Sequence, residues 1–309
     1  MAQGSCKKTN RAPDAFSDFH PAVNMAYFAA VIGFSMFFMH PVTLGISLVC
    51  AFIYALYLGG KKALRVGLKF MLPMMVMTAV LNPLFNHGGA TILAYLPNGN
   101  PLTLESTMFG IAAAVMLVTV IAWFSCFNAV MTSDKFVYLF GRAIPALSLV
   151  LSMALRFVPH FMAQIKVVAN AQECLGRGVN GNIFQKAKSA IKILSITTTW
   201  ALENAIETAD SMKSRGYGLP HRTAFSIFRF ERRDAFALGY VLICAAAIIG
   251  GAVLEVYRFR YFPTIRHIAD DWHSAWTALL FAVYLVLCAF PLIVNLKEDL
   301  VWKRITSKI

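Results

Sequence analysis

Long apolar runs separated by short polar breaks set the reading of this chain. The first two runs cover roughly 22–39 and 42–59, parted only by His40-Pro41, which reads as a tight turn at a membrane surface. Each is about 18 residues long, just enough to cross about 30 Å of hydrocarbon at about 1.5 Å per residue. A third run covers about 70–85, with Pro73 near its start, where first-turn amides lack helical partners anyway, and Pro83 near its end. Further runs lie at about 108–131, 236–256 and 274–295. They are continuous and not alternating, which argues against a membrane barrel. The pattern predicts an all-α integral membrane protein with about six transmembrane helices and a long cytoplasmic insert of two helices.

Residues 1–20 read as a short polar arm, without the apolar stretch and cleavage site of a signal peptide. The segment 86–107 is rich in Gly, Pro and Asn and holds no Lys or Arg, as expected of a loop. The expected division is an N-terminal membrane region of four spans (1–131), the insert (132–234), and a C-terminal membrane region of two spans with a charged tail (235–309).

The insert carries two helical patterns of about 30 residues, hence about 45 Å each. Ser133-Asp134 is expected to cap a short helix reaching Phe140, before Gly141. Pro145, a favoured first-turn residue, starts the first long helix, which is apolar nearly all round from Leu147 to Phe161. Pro159 is expected to bend it by removing one backbone hydrogen bond. Asn182 with Gln185 reads as a capping pair opening the second helix. In that helix Ala201, Ala205 and Ala209 recur every four residues, a spacing that lets helix backbones approach closely. Alanine is also simply a good helix former. If the stripe has a packing role, either the two insert helices cross near it or it packs on another membrane subunit. Arg156, set between Leu155 and Phe157, is a candidate to join the two helices through Glu203 or Glu207.

Composition agrees with a membrane location: 58% of residues are hydrophobic and 14% charged, against about 45–50% and about 25% in soluble domains. The net charge of +13 does not call for nucleic acid, because cytoplasmic loops of helical membrane proteins collect Lys and Arg. With the N-terminus inside, all but Arg258, Arg260 and Arg266 of the 28 Lys and Arg residues fall on one side. That asymmetry predicts a multi-pass protein of the cell membrane with both termini and the insert in the cytoplasm.

The six cysteines contain no Cys-x-x-Cys, and the seven histidines show no ligand spacing on a helix, so neither a disulfide nor a metal site is expected. Trp200, Tyr217, Trp272 and Trp276 read as interface anchors. Gly59-Gly60-Lys61-Lys62 lacks the spacing and hydroxyl of a phosphate loop, so any ATP hydrolysis belongs to a partner. Of two rival classes, an ion-coupled secondary transporter usually carries charges inside its spans, and here only Glu255 sits at the edge of one. A membrane-embedded enzyme acting on lipid would draw on His160, Glu203, Glu207 and Asp210, but acids on an exposed helix face are ordinary.

Both long insert helices end in arginine followed by glycine, at Gly176-Arg177-Gly178 and Ser214-Arg215-Gly216. Glycine closes a helix and a cation there complements its dipole, which accounts for one copy. Two copies, both arginine where lysine would serve the dipole equally, point to a planar fork docking on a partner carboxylate.

With Leu155-Arg156-Phe157-Val158-Pro159, Ala171-Gln172, Arg222-Thr223 and Asn82-Pro83-Leu84-Phe85-Asn86 before Gly88-Gly89, these motifs make the chain resemble a known family over roughly residues 20–235. It resembles the transmembrane coupling subunit, or T component, of energy-coupling factor transporters, which are ATP-driven importers of vitamins and of cobalt or nickel ions. The family's coupling helices end in Ala-Arg-Gly; here Gly176 and Ser214 stand in place of alanine. The resemblance implies a non-catalytic subunit with two ABC-type ATPase partners, Arg177 and Arg215 each entering a groove on one of them. It implies that ATP and Mg bind those ATPases and that no cofactor binds this chain. It also implies a separate membrane-embedded substrate-binding subunit, moved by the coupling helices through contacts such as Arg156, Pro159 and Ala201, Ala205 and Ala209.

Overall fold

His-Pro opens each of the first two helices, α1 (Pro21–Phe37) and α2 (Pro41–Phe85). Proline at a first helical position gives up only an N–H that would have no helical partner. The preceding histidine then caps the helix: His20 Nδ1 accepts from Ala22 N and His40 Nδ1 from Val42 N, both at 3.2 Å. The expected turn at His40 is thus also a cap.

The computed structural model describes residues 14–95, 100–141, 145–175, 183–217, 228–257, 259–267 and 275–306. The apolar runs at 42–59 and 70–85 form one element, α2, broken only at Gly60, whose φ of 64° and ψ of 179° leave the helical region. The basic stretch between them is helical and not a loop, because Lys, Arg, Ala and Leu all favour helix. The remaining helices are α3 (Leu104–Val130), α4 (Ser133–Gly141), α5 (Pro145–Cys174), α6 (Ile183–Ser214), α7 (Arg232–Val253) and α8 (Ala275–Thr306). The loop expected over 86–107 holds an antiparallel pair, β1 (Ile92–Tyr95) with β2 (Pro101–Thr103). A second pair, β3 (Phe259–Arg260) with β4 (Arg266–His267), precedes α8.

Pro41–Gly60, Leu104–Val130, Arg232–Val253 and Ala275–Thr306 are long and apolar enough to cross a membrane. Pro21–Phe37 and Lys69–Phe85 are apolar but shorter. These six stretches correspond to the six apolar runs, and the chain is an all-α membrane protein.

Two compact units emerge: Met1–Thr132 with Phe228–Ile309, and Ser133–Ile227. The first is organised around Trp123, which is fully buried. The rings of Tyr27, Phe28 and Tyr54 lie 6.2, 6.4 and 6.4 Å from it. Gly110 lets α3 approach α2 closely, since a Cβ there would sit 3.0 Å from the Ala79 carbonyl oxygen.

The N-terminal arm departs from expectation. Residues 14–20 are not a free polar segment: Phe16 is fully buried and Phe19 6% exposed. Their apolar rings join the core, a gain that outweighs the polar residues between them.

Candidate functional site

The unit Ser133–Ile227 is built from α4, α5 and α6. α4 starts at Ser133 as its sequence predicts. On α6 the enclosed positions are Ile193 and Thr197, followed by the half-buried Trp200, Ala201, Asn204 and Thr208. Their spacing of three or four places them on one helical face. On α5 the matching half-buried positions include Met153, Phe157, Phe161 and Val168. The helices meet through aromatic rings: Trp200 lies 5.2 Å from His160 and 6.0 Å from Phe161. Phe157 and Phe161 stack one turn apart at 5.8 Å.

Two expectations do not hold within this unit, the crossing at the alanine stripe and the pairing of Arg156 with Glu203 or Glu207. The helices do not cross at the alanine stripe, because only Ala201 is half-buried while Ala205 and Ala209 are exposed. An indole covers far more apolar area than a row of methyls, so Trp200 takes the crossing. Trp200 is accordingly a packing residue of this unit. Arg156, Glu203 and Glu207 are all exposed, and among the described residues Arg156 makes no ion pair with either acid. Pro159 is exposed too, and α5 runs through it as one helix. The aromatic seam was legible only as Phe157 and Phe161 four residues apart with a tryptophan in the facing helix.

Opposite its packed face α6 exposes several large apolar side chains among polar ones. Phe184, Ile191, Leu194, Leu202 and Ile206 are all more than 60% exposed, and Ala205 and Ala209 belong to the same side. On α5, Val150, Val158, Met162 and Val167 are likewise exposed.

The end of α6 resolves into a defined cap. Gly216 takes φ 76°, a left-handed conformation natural to glycine. Its N–H donates to the Lys213 carbonyl at 3.0 Å, and Tyr217 N donates to the Met212 carbonyl at 3.0 Å. These two bonds are the pair that closes a helix through a left-handed glycine. Ser214 Oγ adds a 2.8 Å bond to the Ser211 carbonyl. Arg215 is therefore the last residue before the chain turns, and it is exposed. The cation complements the dipole of a 32-residue helix and leaves its planar fork toward solvent. The first motif, Gly176-Arg177-Gly178, and the cap residue Asn182 lie outside the described residues. Among the described residues no group of three or more His, Cys, Asp or Glu side chains could hold a metal ion.

Residues 17–225 match the family described as CbiQ, cobalt transport protein. The energy-coupling factor transporter transmembrane protein EcfT of Lacticaseibacillus paracasei is 39% identical over 110 residues, which is 34% of this chain and 41% of that protein. The protein of the same name from Lactobacillus helveticus is 28% identical over 224 residues, 68% of this chain and 80% of the relative. That of Bacillus selenitireducens is 29% identical over 212 residues, 62% and 78% respectively.

Proposed function

The chain belongs to the cobalt transport protein family, and on that premise we propose that it is the transmembrane coupling subunit of an ATP-driven energy-coupling factor importer. α5 and α6 serve as its coupling helices, and Arg177 and Arg215 are the studs on which two ABC-type ATPase subunits dock. The insert and both termini face the cytoplasm. ATP and Mg reside on the ATPases, and a separate membrane-embedded subunit binds the substrate, a vitamin or a cobalt or nickel ion.

The observation that carries this reading is the end of α6. An arginine stands exposed at the tip of a long helix, and its position is set by a glycine-closed turn. A guanidinium held there can form a bidentate pair with a partner carboxylate without first losing the freedom of a loop. The apolar side chains exposed on α6, with Ala205 and Ala209 beside them, support a contact with the substrate-binding subunit, since small residues admit close helix packing.

The test is recovery of ATPase subunits from membranes carrying Arg177→Ala, Arg215→Ala and the double change, with protein level and insertion measured alongside. Loss of the ATPases with intact insertion establishes docking. Normal recovery by the double variant, or no ATPase with the unmodified chain, returns both arginines to helix capping.

A further inference from the structure

The chain leaves the membrane unit after Thr132 and returns to it at Phe228. At the return it meets the N-terminal turn Asp14–His20. That turn is internally braced: Ser17, Asp18 and Phe19 donate their N–H groups to the carbonyls of Asp14, Ala15 and Phe16 at 2.9, 3.2 and 3.4 Å. Asn24, fully buried on α1, adds bonds from Nδ2 to the carbonyls of Phe19 and Ser17 at 3.4 and 3.5 Å.

One side of the turn is held by α2 and α8. The Phe16 ring lies 5.1 Å from Tyr27, 5.8 Å from Phe290 and 6.4 Å from Tyr54. Phe16 N donates to Asn295 Oδ1 at 3.3 Å. Asp14 accepts from Asn295 Nδ2 at 2.7 Å and from the Tyr54 hydroxyl at 3.2 Å.

The other side is held by the returning chain. Asp234, 3% exposed, commits both carboxylate oxygens, accepting from His20 N at 3.2 Å and from Glu231 N at 3.1 Å. The first bond ties α7 to the turn, and the second caps α7 itself. Arg233 donates to the Asp18 carbonyl at 3.4 Å, and its guanidinium carbon stands 4.5 Å from the centre of the Phe19 ring. The His20 and Phe230 rings meet edge to face at 5.2 Å.

We propose that the turn Asp14–His20 is a clasp that fixes the returning chain, Phe228–Asp234, to Tyr54 of α2 and Asn295 of α8, giving the coupling helices a stationary anchor. The clasp stands on this geometry alone; its part in coupling rests on the function proposed above. A segment fastened on both sides, by part-buried bonds to Asp234 and by the bonds of Phe16 and Asp14 to Asn295, is expected to open as one unit, as an anchor requires.

The experiment is amide hydrogen exchange on the full chain, purified with whatever subunits accompany it, with and without ATP. The reporters are the amides of His20 and Glu231, which donate to Asp234. Asp234→Asn removes one of its two acceptors and is expected to speed exchange at one or both of these amides about tenfold, the weight of one bond to a charged group. Asn295→Ala, on the far side of the turn, is expected to speed Glu231 exchange as well. Arg233→Ala, at an exposed position, supplies a variant that folds if the buried changes do not, and is expected to act on the 14–20 amides. The clasp is overturned if Asn295→Ala leaves Glu231 unchanged, or if each variant loosens only its own segment. An anchor that is stationary keeps equal protection with and without ATP; faster exchange at His20 and Glu231 on adding ATP makes it a latch and overturns the proposal. If no ATP-binding subunit accompanies the chain, the coupling function fails, while the variants still decide the clasp.

Discussion

Trp123 on α3 donates its indole N–H to the hydroxyl of Ser47 on α2 at 2.9 Å. The same hydroxyl meets Ser35 Oγ at 2.7 Å, and Ser35 reaches the Tyr284 hydroxyl at 3.4 Å. Four helices thus share one buried polar thread within an apolar bundle. The Trp123–Ser47 bond is buried, so Ser47→Ala, which strands the indole N–H, is expected to cost about 1–2 kcal/mol. The thermal midpoint in detergent should fall. An unchanged midpoint for Ser47→Ala refutes the role of the thread.

Glu105, 2% exposed in the first turn of α3, accepts from both the backbone N–H and the hydroxyl of Thr91, the latter at 2.8 Å. Gly89 lies so close that a Cβ there would run into this carboxylate and Thr103. Glu105→Ala takes away the acceptor of the Thr91 amide and hydroxyl and is expected to loosen this segment. The effect should appear as faster amide exchange over 88–95, with Glu105→Gln milder because one acceptor oxygen remains.

Gly110→Val places branched atoms where α3 faces the Ala79 carbonyl, Asn82 and Pro83. Overpacking of this kind typically costs about 1–3 kcal/mol. The expected outcome is reduced yield of folded protein and a lower thermal midpoint. A smaller penalty for Gly110→Ala than for Gly110→Val would follow from the same contact.

Capping and docking separate at Gly216. With φ at 76°, Gly216→Ala is expected to cost about 1 kcal/mol locally, whereas Gly216→Asn, which tolerates that region, should cost less. Amide exchange at 212–217 reads the cap. If docking depends on a fixed Arg215, ATPase recovery should fall in the order Arg215→Ala, Gly216→Ala, Gly216→Asn, with the first most severe. Equal recovery by all three would leave Arg215 a capping residue.

A double-mutant cycle between Arg156 and Glu203 should give a coupling energy within about 0.3–0.5 kcal/mol of zero. Both side chains are exposed and no ion pair joins them. A coupling above about 1 kcal/mol would show that the two residues meet in the working assembly.

Much of this architecture was written along the chain. Six apolar stretches survive as helices, α4 begins at Ser133, and two helices of 30 and 32 residues occupy the insert. Local rules suffice there: apolar length sets a span, proline and serine set starts, and glycine after arginine sets the end at Gly216. The family resemblance read from the paired motifs is borne out as well.

What lay beyond the sequence depends on which distant side chains meet. Asp14 and Asn295 are 281 positions apart, so nothing local announces that a polar N-terminal segment will enter the core. The α5–α6 crossing likewise went to Trp200 in place of the alanine stripe, because the two faces compete and the larger buried area wins. Periodicity names the faces a helix has; only packing chooses the one it uses.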